Sequence, residues 1–156
     1  MNSAGPSQIE RMNALRLTSE DSRIQLIAED LRKAITEDDV VRRADCDARL
    51  VALHIGRLEI YLHGITVIAK LEYLRSGDDD LAGRYEFFMV REDVLGTKTA
   101  ESLGFLEFNG EGKLRFGQSG QWVAQIVNQA PYADKLRSLM LGHVAFWVQQ
   151  RMPRLV

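Results

Sequence analysis

Between residues 50 and 74 the chain alternates apolar and polar side chains around two glycines, a pattern few folds satisfy. A two-residue turn at Gly56-Arg57, of the kind that takes glycine first, sets Ile55 against Leu58, Leu53 against Ile60 and Val51 against Leu62. Directly opposed residues share a face of a sheet, so these six aliphatic side chains fall together. The other face receives His54 opposite Glu59, Ala52 opposite Tyr61 and Leu50 opposite His63. A second turn at His63-Gly64 adds Ile65, Val67, Ala69, Leu71 and Tyr73 to the apolar face and turns Thr66, Lys70 and Glu72 away. A slip of one residue would carry these charges into the core, so the register is strongly specified. One helix from Ala44 to Leu74 would also satisfy a heptad, but two glycines and the β-branched run Ile65-Thr66-Val67-Ile68 oppose it.

Helical spacing precedes this region. Ile24, Ile27, Ala28, Leu31, Ala34 and Ile35 form one stripe, with Gln25, Glu29, Arg32 and Lys33 turned away. Glu20 and Asp21 suit a first turn, so the firm start of this helix is expected near Thr18 or Ser19. Residues 1–17 read as a flexible or short-helical leader, since Ser7 and Glu10 have capping-box spacing and Ile9, Met12 and Leu15 recur every third residue. Residues 18–153 read as one domain.

After the polar turn at residues 76–80, Tyr85, Phe87 and Met89 alternate inward against Arg84, Glu86, Phe88 and Val90. Glu92 to Ser102 reads as an irregular connection. Asn109-Gly110 is a strong hairpin signal, and taken as the turn it pairs Phe105 with Leu114 and Leu103 with Phe116. Gly104 with Arg115, and Leu106 with Lys113, then occupy the outer face. Trp122, Val123, Ile126 and Val127 have helical spacing, Pro131 breaks that run, and a second helix from Tyr132 carries Leu136, Leu139, Met140, His143, Val144 and Trp147. The expected fold is α+β: an N-terminal helix, an antiparallel meander of about six strands, and C-terminal helices packed on the sheet.

Composition excludes several function classes. The net charge of −2, from 20 basic and 22 acidic residues, gives no general attraction to nucleic acid or an anionic bilayer. Cys46 is the only cysteine, which rules out an intrachain disulfide and a thiolate metal cage. No segment has the apolar length of a bilayer span or the layout of a secretion signal, so a cytoplasmic location is expected. No histidine pair has the short spacing of a zinc site, and the acidic groups at residues 37–39, 45–47 and 78–80 lack a calcium loop's ligand order. Gly110, Gly112, Gly117 and Gly120 match no phosphate cradle, and no cofactor is implied. Cys46 between Asp45 and Asp47 is a deactivated thiol. His54 with Glu59 reads as a cross-strand pair stabilising the sheet rather than as acid and base. His143, on an apolar stripe, reads as a core histidine. Arg42, Arg43, Arg49 and Arg57 near stacking aromatics suggest nucleic acid, but Glu59, Glu72 and Glu86 share that face and would repel phosphates.

The feature that carries most is the outer sheet face. A solvated face of an antiparallel sheet should read polar, yet this one gathers Leu50, Tyr61, Ile68, Leu74, Phe88, Val90, Leu106 and Phe108. The last helix is also apolar nearly all round. The function expected is therefore a non-enzymatic protein-binding module, an adaptor, inhibitor or chaperone, acting as a homodimer through Tyr61, Ile68, Phe88, Val90, Leu106 and Phe108 or through the last helix. The order of helix, strands, hairpin and helix, with mild acidity, is similar to that of the small type III secretion chaperones, a likeness of fold alone. The alternative is a small-molecule binder or cofactor-free enzyme whose pocket is lined by His54, Glu59, Tyr61 and Trp122.

Overall fold

The N-terminal helix begins where a short polar signal places it. Ser7 Oγ accepts from the Glu10 amide at 3.2 Å, and Glu10 Oε1 accepts from the Ser7 amide at 3.4 Å, a reciprocal capping box. Helix α1 then runs unbroken over Gln8–Thr36 in a computed structural model that describes residues 4–36, 49–54, 56–76, 80–117, 121–122, 124–125 and 130–155. The start near Thr18 is corrected: the Thr18 hydroxyl donates to the Ala14 carbonyl at 2.9 Å and lies within the helix. Ile24, Ala28, Leu31 and Ala34 form the buried stripe, each at most 1% exposed. The first turns, residues 8–16, are exposed at every position.

Seven antiparallel strands follow in simple meander order: β1 Arg49–His54, β2 Arg57–Leu62, β3 Ile65–Ser76, β4 Asp80–Glu92, β5 Lys98–Asn109, β6 Lys113–Phe116 and β7 Ala124–Gln125. The fold is α+β as expected, with a different strand count. Residues 92–102, read as irregular, complete a long β4–β5 hairpin instead. Its tip is closed by Asp93, whose side chain accepts from the amides of Leu95 and Thr97, each at 2.9 Å. Where helical spacing was expected after Gln121, Ala124–Gln125 form the two-residue β7, and Val123, Ile126 and Val127 lie outside the described residues. Among the described residues no helix lies between the strands, which departs from the order expected of a secretion chaperone.

The β2–β3 hairpin has the register its alternation demands, with Leu62 opposite Ile65, Ile60 opposite Val67 and Leu58 opposite Ala69. His63 and Gly64 both adopt positive φ, 53° and 70°, which a two-residue turn of matching twist requires. β3 and β4 continue the pattern by pairing Val67 with Met89 and Ala69 with Phe87. Two neighbouring hairpins differ from expectation. Arg57 is taken into the ladder opposite Lys70 and cannot serve as a turn residue, so β1 pairs Leu50 with Ile60 and Ala52 with Leu58. Leu50 thus sits opposite Ile60 in the ladder rather than opposite His63, and Ile55 lies outside the described residues. At the other hairpin Asn109 Oδ1 accepts from the amides of Glu111 and Lys113, both at 3.0 Å, and Gly112 takes φ 78°. The loop is thus Gly110-Glu111-Gly112, one residue longer than the tightest turn. Leu106 now faces Phe116 and Phe108 faces Leu114, which exchanges the two faces of β5. A bulge opposite Phe87 and Phe88 returns Leu103 to the inner side.

The core lies between the inner sheet face and the two helices. Helix α2, Ala130–Gln150, carries Pro131 in its first turn, where a missing amide costs nothing, so Pro131 starts this helix. Its Leu136, Met140, Val144 and Val148 are buried. The Trp147 ring lies on Gly104, where an added Cβ would come within 2.8 Å of the indole. Gly104→Val is accordingly expected to lower stability by about 1–3 kcal/mol through overpacking, read as a urea midpoint shift with a change in Trp147 fluorescence. Beyond the helix end, Arg151 donates to the carbonyls of Ser102 at 3.2 Å and Leu103 at 3.4 Å and so ties α2 to β5. Among the described residues no helix is long and apolar enough to cross a membrane.

Candidate functional site

Both helices pack on the inner face, and on the outer face Trp122 lies over Arg115 while the β2–β4 region is left partly exposed. Cross-strand pairing places Ile68 beside Phe88, Thr66 beside Val90 and Tyr61 beside Thr66. Tyr61, Ile68, Phe88 and Val90 thus form one contiguous group, each partly exposed. Leu106 and Phe108, expected in the same group, are corrected to the core: both are 0% exposed because the longer β5–β6 loop reverses their direction. Lys70 beside Glu86 and Glu72 beside Arg84 flank the group, so the face mixes both signs. The acids that argue against phosphate binding do share it.

The residues proposed for a polar pocket do not converge. Glu59 and Tyr61 are neighbours on β2, and the Tyr61 hydroxyl donates to Glu59 Oε2 while Arg57 donates to Oε1 at 3.1 Å. The Tyr61 hydrogen bond, then Arg57, holds the Glu59 carboxyl below its ordinary range. His54 is set opposite Arg57 in the ladder instead of Glu59. Trp122 lies beyond β6, with β3, β4 and β5 between it and β2 in the sheet order, and its ring lies over Arg115 instead.

Trp122 belongs to a different cluster, which the sequence reading missed. Glu107, only 5% exposed, receives Arg84 Nε at 3.1 Å on one carboxylate oxygen and Arg115 Nε at 2.8 Å on the other. Phe105 supports the Arg84 guanidinium at 4.2 Å and Trp122 supports that of Arg115 at 4.9 Å. Burial would raise the Glu107 carboxyl, but hydrogen bonds from Arg84 and Arg115 outweigh it and hold the group ionised. A cleft of about 390 Å³ opens beside this cluster, with Arg23, Asp80, Glu111 and Trp122 among its walls. Each of the three cluster residues sits mid-strand, and only the correct β5–β6 register brings them together.

The remaining candidates have structural places. His143 stacks on Phe116 with ring centres 3.9 Å apart, and burial pushes its pKa down. His63 sits exposed in its turn, 3.2 Å from the Gln149 side chain. Among the described residues no three His, Cys, Asp or Glu side chains gather to hold a metal ion. Cys46, Arg42, Arg43, the acidic groups at residues 37–39 and 45–47, and Asp78 and Asp79 lie outside the described residues. The chain matches no family model, no curated protein and no solved structure.

Proposed function

We propose that this chain is a non-enzymatic protein-binding module that works as a homodimer. The observation that carries this reading is the amount of large apolar side chain on surfaces its own helices leave uncovered. The outer sheet face contributes Tyr61, Ile68, Phe88 and Val90, and α1 contributes side chains that stand more than three-fifths in solvent. α2 contributes less than its sequence suggests, since its apolar stripe packs into the core and, among its described side chains, Phe146 at 58% is the strongly exposed large apolar one. Surfaces of this kind are characteristic of protein contacts. The ionised, fully engaged carboxylates of Glu59 and Glu107 suit a supporting frame better than a proton-transfer site.

A native mass spectrum tests the reading, with twice the 17.7 kDa chain mass as the expected result. A bare single mass at micromolar concentration would refute the homodimer. Phe88→Lys separates the two surfaces: loss of the doubled mass with the fold intact assigns the contact to the sheet, and its retention assigns it to α1. A second reading, a small-molecule binder, is favoured by one observation, the cleft that Trp122 borders beside Arg115. Its sign would be a single chain carrying extra mass, together with an altered Trp122 environment.

A further inference from the structure

The cleft beside the Glu107 cluster has walls of unlike chemistry. Ile24 and Ala82, both buried, give it apolar ground, and the Trp122 side chain, 43% exposed, stands at its side. Its charges do not cancel. Glu107 divides one negative charge between Arg84 and Arg115, and Glu72 approaches Arg84 alone, at 3.9 Å. Arg23, also on the wall, pairs with no carboxylate among the described residues. Of the wall's other acids, Glu111 is held by Lys113 at 3.1 Å, so Asp80 is left to balance two guanidiniums. The surplus is positive.

Arg115 is also fixed in advance. Its Nε at 2.8 Å and Nη2 at 2.6 Å both donate to Glu107 Oε2, and its guanidinium lies 4.9 Å from the Trp122 ring centre. Nη1 remains as the donor it can offer a ligand. A guanidinium held this way loses little freedom when an anion arrives. A cleft of about 390 Å³ suits a small organic molecule, and the indole with its apolar ground suits a ring. A dianion such as phosphate would be repelled by Asp80 and would leave the indole unused. Deepening the small-molecule reading above, on which this rests, we infer that the cleft takes a small aromatic monocarboxylate, its carboxylate on Arg115 and Arg23 and its ring against Trp122. The inference holds for a single chain or a paired one.

The test is a calorimetric titration of the full chain with phenylacetate, its neutral counterpart phenylacetamide, and the cation benzylamine. Phenylacetate is expected to saturate with a Kd on the order of a millimolar, ordinary for about ten heavy atoms, and to change the tryptophan fluorescence. Phenylacetamide is expected to bind at least about tenfold more weakly, since it loses the charge-assisted hydrogen bonds. Arg23→Gln and Trp122→Leu should each weaken phenylacetate about tenfold and keep the wild-type circular dichroism, because both positions are exposed. Benzylamine saturating in place of phenylacetate keeps the ligand reading and overturns the anion. Equal affinity for phenylacetate and phenylacetamide overturns the part given to the carboxylate. Binding unchanged in both variants places the ligand elsewhere and overturns the site. No saturation by any of the three probes up to about 10 mM defeats the inference together with the small-molecule reading.

Discussion

Phe108→Lys is expected to abolish the folded state, whereas Phe88→Lys, on the neighbouring strand and the opposite face, leaves the protein folded. Phe108 is 0% exposed, its ring 6.3 Å from that of Tyr85, and it lies directly opposite Gly83. A Cβ at Gly83 would come within 2.0 Å of the Phe108 ring, so the glycine exists to let the ring lie on the backbone. Truncating a buried phenylalanine costs about 3–5 kcal/mol, and an unpaired ammonium in its place adds several more. The total approaches the whole stability of an ordinary domain. Phe88 keeps part of its ring in solvent, so a lysine there can reach water along the same face. Circular dichroism and urea unfolding of both variants check the contrast. A folded, cooperative Phe108→Lys protein would refute the register given for β5. The milder Gly83→Ala, with the ring untouched, should already lower the urea midpoint.

The second large effect belongs to Glu107. Its side chain is 7% exposed and serves two guanidiniums, which keep 23% and 30% of their own exposure. Removing the carboxylate by Glu107→Ala leaves Arg84 and Arg115 facing each other, with Glu72 only at 3.9 Å from Arg84. The expected cost is about 3 kcal/mol, at the low end for a buried pair because both arginines retain water. The sign of the pH dependence follows from the lowered pKa. The contribution is complete above the ordinary carboxyl value of 4.5 and is lost as pH falls through the depressed folded value. The stability gap between wild type and Glu107→Gln should therefore narrow as pH is taken from about 6 to about 3. A gap that stays constant over that range would show that the ionised carboxylate is not what holds these strands.

Both effects turn on β5, where a local pattern was legible and its consequence was not. Asn109 and Gly110 announce a turn, and the structure has one there. Whether the loop holds two residues or three depends on Gly112 taking a left-handed conformation and on the Asn109 side chain capping two amides. That choice exchanges the faces of the strand. It sends Leu106 and Phe108 inward, turns Phe105 outward over Arg84, and assembles the Glu107 cluster. β1 shows the same sensitivity, because Arg57 belongs to the β2–β3 ladder and the turn has to precede it.

What the sequence by itself determined are the properties that short-range geometry sets. Alternation around His63-Gly64 placed Leu58, Ile60, Leu62, Val67 and Ala69 on the core face, since a two-residue turn leaves a single register that buries no charge. The 3.6-residue repeat placed Ile24, Ala28, Leu31 and Ala34 under the helix, and the capping spacing of Ser7 and Glu10 marked its start. Tertiary structure alone decided which face of the sheet the helices cover and how far α1 extends beyond it. Helix periodicity records which side of a helix is apolar, not how much of its length meets the sheet. That is why Ile9, Met12 and Leu15, unremarkable as letters, become exposed apolar residues where the core stops short of them, while Leu26 is exposed on the far side of the packed half.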